Sequence, residues 1–282
     1  MKYERWLIPE TDDAAVEALM DAGYPYLVST VLASRGVITP EQAAAHLDRE
    51  RSLVYSPFLM RDMDKAVARI DRALAGGETI AVFGDYDVDG ITSTCLLTDY
   101  LRSRGAAVLM HIPRRIEEGY GLGCDAIRAL AEQGVTLIVT VDCGITNLEE
   151  VALAKKRGMT VIVTDHHQLA EKLPEADAVL NPLIEPYAFK RLCGAGVALK
   201  ITQALLGMDG VEKRIDLAAL ATVADIVPLM EENRVIVREG MMRMGTSARP
   251  GLKKLMELAQ VSQPVNTGHL GFRLAPRLNA GG

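Results

Sequence analysis

The pattern of apolar and polar positions changes character near residue 76. Before it, apolar residues recur at helical spacing. Residues 62–75 place Met63, Ala66, Val67, Ile70 and Leu74 on one face, and Gly76-Gly77 ends the helix. Thr39-Pro40-Glu41-Gln42 has the form of a helix start, with threonine capping, proline in the first turn and glutamine at the reciprocal capping position. Beyond residue 76, short apolar runs appear at 79–83, 108–112, 136–141, 160–163 and 178–180, most of them rich in β-branched residues. Helical stretches separate them at 91–103, 124–133, 147–157 and 196–206. Strands alternating with helices predict right-handed crossovers and a mainly parallel sheet, and unbroken apolar runs predict burial on both faces. From about Leu217 the pattern is helical again, with breaks at Gly245 and Pro250. The expected fold class is α/β: a mainly parallel β-sheet flanked by helices. A helical lead-in is expected over 1–75, the α/β domain over 76–232 and a helical C-terminal part over 233–282.

Composition narrows this only slightly. The chain has 282 residues, 49% hydrophobic and 24% charged, which excludes disorder, collagen and coiled coil as overall descriptions. No apolar run of about 18 residues suggests a membrane span. Met1-Lys2-Tyr3-Glu4-Arg5-Trp6 lacks the apolar centre of a secretory signal. The four cysteines, Cys95, Cys124, Cys143 and Cys193, form no C-x-x-C pair and read as reduced thiols of a cytoplasmic protein. Charge is distributed unevenly. Residues 233–282 carry a net +6, from Arg234, Arg238, Arg243, Arg249, Lys253, Lys254, Arg273 and Arg277 against Glu239 and Glu257, whereas the chain as a whole is at −6. An acidic body with a basic tail suits metal ions in one part and a polyanion in the other; a solvated basic helix is the plainer reading of the tail.

Ligands of open parallel sheets bind beyond the carboxyl ends of the strands, so the residues following each apolar run are the candidates for chemistry. The run 79–83 is followed by Gly84-Asp85-Tyr86-Asp87-Val88-Asp89-Gly90, the run 136–141 by Asp142-Cys143-Gly144, and the run 160–163, through Thr164, by Asp165-His166-His167. A further apolar stretch, 217–223, leads through Ala224 to Asp225-Ile226-Val227-Pro228. Carboxylates gathered at one sheet edge repel and raise each other's pKa, a conflict that bound divalent cations remove. Oxygen and imidazole ligands without thiolate suit Mn2+ or Mg2+. Six or so ligands exceed the needs of one ion. Two ions about 4 Å apart, bridged by a shared carboxylate, would use them and suit phosphodiester hydrolysis. A calcium loop is disfavoured, because the twelfth position counted from Asp85 is Leu96 instead of glutamate. Taken singly, Asp142 could be a helix cap, His166-His167 a surface pair and Asp225 a turn residue. Their joint placement is what points to a site. Arg114, Arg115 and Tyr120 follow the second run and could hold a backbone phosphate or stack a base; surface arginines and a core tyrosine are the plainer reading.

These motifs resemble the DHH phosphoesterase family, in its RecJ-type branch of single-strand-specific exonucleases. Asp85-Tyr86-Asp87-Val88-Asp89-Gly90 is similar to the first motif, Asp142-Cys143-Gly144-Ile145 to the second, Asp165-His166-His167 to the name-giving triplet and Thr222 to Leu229 to the fourth. Further similarity lies in the helical lead-in with Arg35-Gly36-Val37, Ile112-Pro113-Arg114-Arg115 through Gly119-Tyr120-Gly121-Leu122, Ala248-Arg249-Pro250-Gly251-Leu252 and Pro276-Arg277-Leu278-Asn279-Ala280. The resemblance implies a two-metal hydrolase that cuts single-stranded DNA from the 5′ end and releases mononucleotides in DNA repair and recombination. It implies Asp87 and Asp142, with Asp85, on one Mn2+ or Mg2+, and Asp89, Asp142, His166 and Asp225 on the other. His167 would face the scissile phosphate, with Asp165 orienting an imidazole. Arg277 and Asn279 would reach back toward the cleft. Gly194-Ala195-Gly196 would either approach the phosphate or simply start a helix. Single-stranded DNA is the implied partner, with a single-strand-binding protein or a helicase beside it and no membrane.

The chain stops at Ala280-Gly281-Gly282, where the family pattern leads into a DHHA1-type and then an OB-type domain. The expectation is therefore a catalytic part without those domains, with the residues beyond about Asn233 weakly anchored. A small-substrate DHH phosphodiesterase, acting on oligonucleotides or cyclic dinucleotides, and a non-catalytic nucleic-acid-binding fragment are the competing readings. A dinucleotide-binding dehydrogenase is weaker, since no G-x-G-x-x-G follows the first run.

Overall fold

A computed structural model describes residue 7 and residues 10–47, 55–246 and 249–281. The stretch Met1 to Trp6, together with Ala248 and Gly282, lies outside the described residues. The chain forms two compact units, Met1–Leu53 and Val54–Gly282. The first holds helices α1 (Asp13–Asp21), α2 (Tyr26–Ala33) and α3 (Pro40–Leu47). The reciprocal cap before α3 is present: Gln42 N donates to Thr39 Oγ1 at 3.2 Å, and Thr39 N to Gln42 Oε1 at 3.3 Å.

The second unit opens with a 3-10 turn (Pro57–Leu59) and α4 (Met63–Gly76). Strands and helices then alternate: β1 (Thr79–Phe83), α5 (Val88–Ser103), β2 (Ala107–His111), α6 (Cys124–Glu132), β3 (Val135–Thr140), α7 (Leu148–Lys156), β4 (Thr160–Thr164), β5 (Ala178–Leu180) and α8 (Gly194–Leu206). All strand pairs are parallel in one five-stranded sheet of order β2-β1-β3-β4-β5. Alternate side chains feed two cores. Ile80, Val82, Leu137, Val139 and Ile162 pack with residues of α4, α5 and α8, and Ala81, Phe83, Ile138, Val161 and Val163 with those of α6 and α7. This double burial is why the strands read as unbroken apolar runs.

The division of the chain falls at Leu53/Val54 and not near residue 75. Met63, Ala66, Ile70 and Ala73 of α4 are fully buried in the sheet's own core, so this helix belongs to the α/β unit. The C-terminal part continues as α9 (Met208–Glu212), α10 (Ile215–Ala224), α11 (Glu231–Met244), α12 (Pro250–Leu258), the short turn α13 (Thr267–His269), a π-helical turn (Leu270–Leu274) and α14 (Ala275–Asn279). It is firmly anchored, contrary to expectation. Leu252, Met256, Leu270, Leu274 and Ala275 join the same core as α8 and α10. Acids from outside the segment meet part of its charge: Arg243 pairs with Glu212, and Arg249 with Asp216 and Asp99, while Arg238–Glu239 and Lys254–Glu257 are pairs within it. The linear +6 is therefore partly neutralised in the fold. All four cysteines are free thiols. Among the described residues no helix is long and apolar enough to cross a membrane.

Candidate metal centre

The parallel register brings the ends of β1, β3 and β4 to one edge. Phe83 pairs with Thr140, and the three loops that follow meet there with the end of α10. The loop after β1 turns tightly into α5. Asp87 caps the helix, its Oδ1 accepting from Gly90 N at 2.9 Å. A Cβ on Gly90 would lie 2.4 Å from the carbonyl oxygen of Asp85, so only glycine lets the loop fold over the helix start. Asp89, in the first turn of α5, is buried. Its two carboxylate oxygens accept from Gly194 N at 2.6 Å and Ala195 N at 2.7 Å. The first turn of α8 thus holds this carboxylate with unpaired amides and the positive end of its dipole.

Asp142 follows β3 in the left-handed region, with φ 62°. A non-glycine residue there is uncommon, and such strain clusters at functional sites. The surrounding threonines fix the turn. Thr140 Oγ1 donates to Cys143 O at 2.7 Å and accepts from Thr164 N at 3.2 Å, while Thr164 Oγ1 donates to Thr140 O at 2.7 Å. After β4, the buried Asp165 gathers its own loop: Oδ1 accepts from His166 N at 2.7 Å and His167 N at 3.0 Å and sits 2.7 Å from His167 Nδ1, while Oδ2 accepts from Ile145 N at 3.0 Å. Burial pushes the Asp165 carboxyl up, but the bonds from His167 outweigh it and hold it below its usual range. The same contact raises the His167 imidazole, against the opposing effect of burial. Asp225 closes the last turn of α10, and the next residue, Ile226, is left-handed at φ 58° with its side chain 89% exposed.

Three groups of ligand atoms come within 4.8 Å of one another: Asp85, Asp87 and Asp142; Asp89, His166 and Asp225; and Asp142, His166 and His167. Asp142 belongs to two of them. His166 Nε2 lies 3.0 Å from Asp142 Oδ1 and 3.6 Å from Asp89 Oδ2, and its Nδ1 lies 3.8 Å from Asp225 Oδ2. Despite that proximity, Asp142 Oδ1 receives no hydrogen bond, nor does the buried Asp85 Oδ1. Buried carboxylate oxygens without donors are costly unless a cation meets them. Burial, then mutual repulsion, pushes Asp85 and Asp225 up to about 6, and raises Asp89 and Asp142 as well. The donor set is oxygen and imidazole only, includes two buried carboxylate oxygens without hydrogen bonds, and fits a pair of hard divalent ions.

Every acidic and imidazole candidate from the sequence except Asp165 falls in one of these groups, and Asp165 bonds His167 beside them. The outlying candidates divide. Arg115 stacks on the Tyr86 ring, 4.4 Å from its centroid, beside the acidic loop. Arg114 is exposed and pairs with Glu117 at 2.8 Å. Tyr120 is no core residue: its hydroxyl lies 3.2 Å from His167 Nδ1 and donates to Asp142 O at 3.3 Å. Asn279 Oδ1 accepts from Val88 N at 3.1 Å, whereas exposed Arg277 bonds Arg273 O. Sequence reasoning missed the amide cradle of Gly194 and Ala195. The paired glycines of Gly194-Ala195-Gly196 were its only trace.

Residues 79–225 match the DHH family, N-terminal domain, and the chain belongs to the DHH family. Within that class it is similar to single-stranded-DNA-specific exonucleases RecJ. That of Bacillus subtilis (strain 168) is 41% identical over 99% of this chain and 36% of the relative. That of Escherichia coli (strain K12) is 37% identical over 100% of this chain and 50% of the relative. Among solved structures, RecJ in complex with Mn2+ from Thermus thermophilus superposes with TM-score 0.78 at 32% identity, covering 94% of this chain and 38% of that one. An exonuclease RecJ bound to manganese matches with TM-score 0.75 at 37% identity, over 82% of this chain and 59% of that one. These two curated relatives are matched over 36% and 50% of their own length.

Proposed function

We propose that this chain carries the metal-dependent catalytic centre of a single-strand-specific DNA exonuclease, which hydrolyses phosphodiester bonds from the 5′ end and releases mononucleotides. The observation that carries the reading is the Asp142 carboxylate, shared between two ligand groups and left without a hydrogen bond at Oδ1. Asp85, Asp87 and Asp142 would hold one Mn2+ or Mg2+, and Asp89, Asp142, His166 and Asp225 the other. When bound, the ion pair supplies an acidified water and neutralises charge on the phosphoryl oxygens. The chain's residues do the positioning. The amides of Gly194 and Ala195 aim Asp89, and the left-handed turn aims Asp142. Asp165 engages His167 Nδ1, which leaves Nε2 to meet the scissile phosphate. Arg114, Arg115 and Arg277 would steer the strand by its phosphates. A single-strand-binding protein or a helicase would present such strands, and the enzyme would work in the cytoplasm.

The test is digestion of 5′- and 3′-labelled single strands, and of a dinucleotide, with Mn2+, Mg2+ or chelator. Asp142→Ala and Asp89→Ala are expected to abolish hydrolysis while circular dichroism stays native. Near-normal turnover in either variant at saturating metal overturns the assignment. Strand binding without hydrolysis under any divalent metal makes the chain a binding module instead.

A further inference from the structure

Tyr120 stands where a strand-binding residue would, but its contacts point inward. Its ring meets His167 edge to face, with centroids 5.8 Å apart and an interplanar angle of 81°. Its hydroxyl donates to Asp142 O at 3.3 Å and lies 3.2 Å from His167 Nδ1. Asp165 Oδ1, which already accepts from the His166 and His167 amides, is 2.7 Å from that same Nδ1, so the ring proton resides on Nδ1. The Nδ1–H then serves two acceptors, Asp165 Oδ1 and Tyr120 Oη, and the Tyr120 proton is free for Asp142 O.

The loop that carries Tyr120 is built to keep it there. Gly119 and Gly121 flank it in left-handed conformations, both at φ 79°. A Cβ on Gly121 would come 2.7 Å from Asn147 Oδ1, which itself accepts from Leu122 N at 3.3 Å. Asn147 N in turn donates to Gly144 O at 3.1 Å, inside the turn that follows Asp142. One asparagine therefore clamps the Tyr120 loop onto the Asp142 turn, and the hydroxyl spans from that turn to the His167 ring.

We propose that Tyr120 is a positioning residue that locks the His167 imidazole against the Asp142 turn, coupling the loops after β3 and β4, and not a base-stacking or phosphate-binding residue. The proposal rests on the exonuclease reading for its kinetic consequences but has a separate readout. Tyr120→Phe keeps the ring and removes only the hydroxyl. It is expected to lower kcat on a single strand about five- to tenfold, the factor one hydrogen bond is worth, with KM unchanged. In a His167→Ala background the same substitution is expected to have no further effect. In the metal-free chain, the imidazole 15N resonances of His167 are expected to shift in Tyr120→Phe while the amide spectrum elsewhere stays native.

If Tyr120 stacked a base, Tyr120→Phe would be silent and Tyr120→Leu would raise KM. If it bound phosphate, Tyr120→Phe would raise KM and act additively with His167→Ala. Either pattern, or unmoved His167 resonances, overturns the proposal. A His167 signal that shifts in Tyr120→Phe, with a wild-type chain that hydrolyses no strand, would leave the positioning intact and count against the exonuclease reading alone.

Discussion

The acidic cluster should make the metal-free protein lose stability as pH rises toward neutrality, the reverse of the usual behaviour of carboxylates in ion pairs. Asp85 and Asp225 have an ordinary value of 3.8 and are pushed up to about 6 by burial and by neighbouring aspartates. A carboxyl whose folded pKa exceeds its unfolded one binds more protons in the native state. Its contribution is fully present below pH 3.8 and is lost as pH rises through about 6. At about 1.4 kcal/mol per pH unit, each group has a ceiling of about 3 kcal/mol. The Asp225 side chain is 26% exposed, so solvent screening reduces its share to about 1–2 kcal/mol, while buried Asp85 stays nearer the ceiling. His167, raised by Asp165, acts in the same direction, since its contribution also fades as the imidazolium deprotonates. Asp165 is held low and stays ionised across the window, so it adds no slope there. Part of that titration is already complete at pH 5, so the sum is a loss of about 2 kcal/mol between pH 5 and pH 7.5. Urea denaturation in chelator at the two pH values measures it. Saturating Mn2+ should return at least as much at pH 7.5, some 2.7 kcal/mol at about 100 times Kd, and much less at pH 5, where protons compete for the ligands. Metal-free stability that rises from pH 5 to 7.5, or a metal increment that is larger at pH 5, would refute the electrostatic reasoning.

Gly194→Ala places a Cβ 2.6 Å from Asp142 Cβ and 2.8 Å from its Oδ1, so α8 must retreat by about 1 Å from a packed site. Calorimetric Mn2+ affinity is expected to fall at least about tenfold, because the amides that aim Asp89 move with it; unchanged affinity would show that the cradle is idle. Lys200 and Glu232 form a buried pair at 2.7 Å, joined by Tyr187 and by Tyr55 N. Lys200→Met is expected to cost about 3–5 kcal/mol in urea denaturation by stranding a buried carboxylate, and Lys200→Met with Glu232→Leu to recover part of it. A single-variant loss under about 1 kcal/mol counts against a desolvated pair.

Much of this site can be read from the chain because a parallel sheet does geometric work. It sends the ends of β1, β3 and β4 to one edge, so Asp85 to Asp89, Asp142 and Asp165 to His167 converge although they are distant in sequence. Doubly buried strands also announce themselves as apolar runs. What stayed hidden depends on pairings that no local pattern encodes. The amides of Gly194 and Ala195 meet Asp89 across more than a hundred positions, and a G-A-G triplet looks like any helix start. The basic tail misled for the same reason: Arg243 and Arg249 find Glu212, Asp216 and Asp99 from helices that linear charge counting cannot see. The helix 62–75 reads correctly as a helix, but its allegiance to the sheet is decided by which core its buried face fills. Ile226 breaks the turn rules outright, since a β-branched residue is among the last expected at φ 58°.

The bond of 3.1 Å between Asn279 and Val88 N has a mechanical consequence. Val88 stands between Asp87 and Asp89, so α14 is tethered to the middle of the acidic loop. A pull on this stretch of chain is delivered to the first turn of α5 through a single short lever. Displacing α14 by a bond length would slacken the loop that carries Asp85, Asp87 and Asp89 and retune its grip on a cation, without any change in the residues that do the gripping.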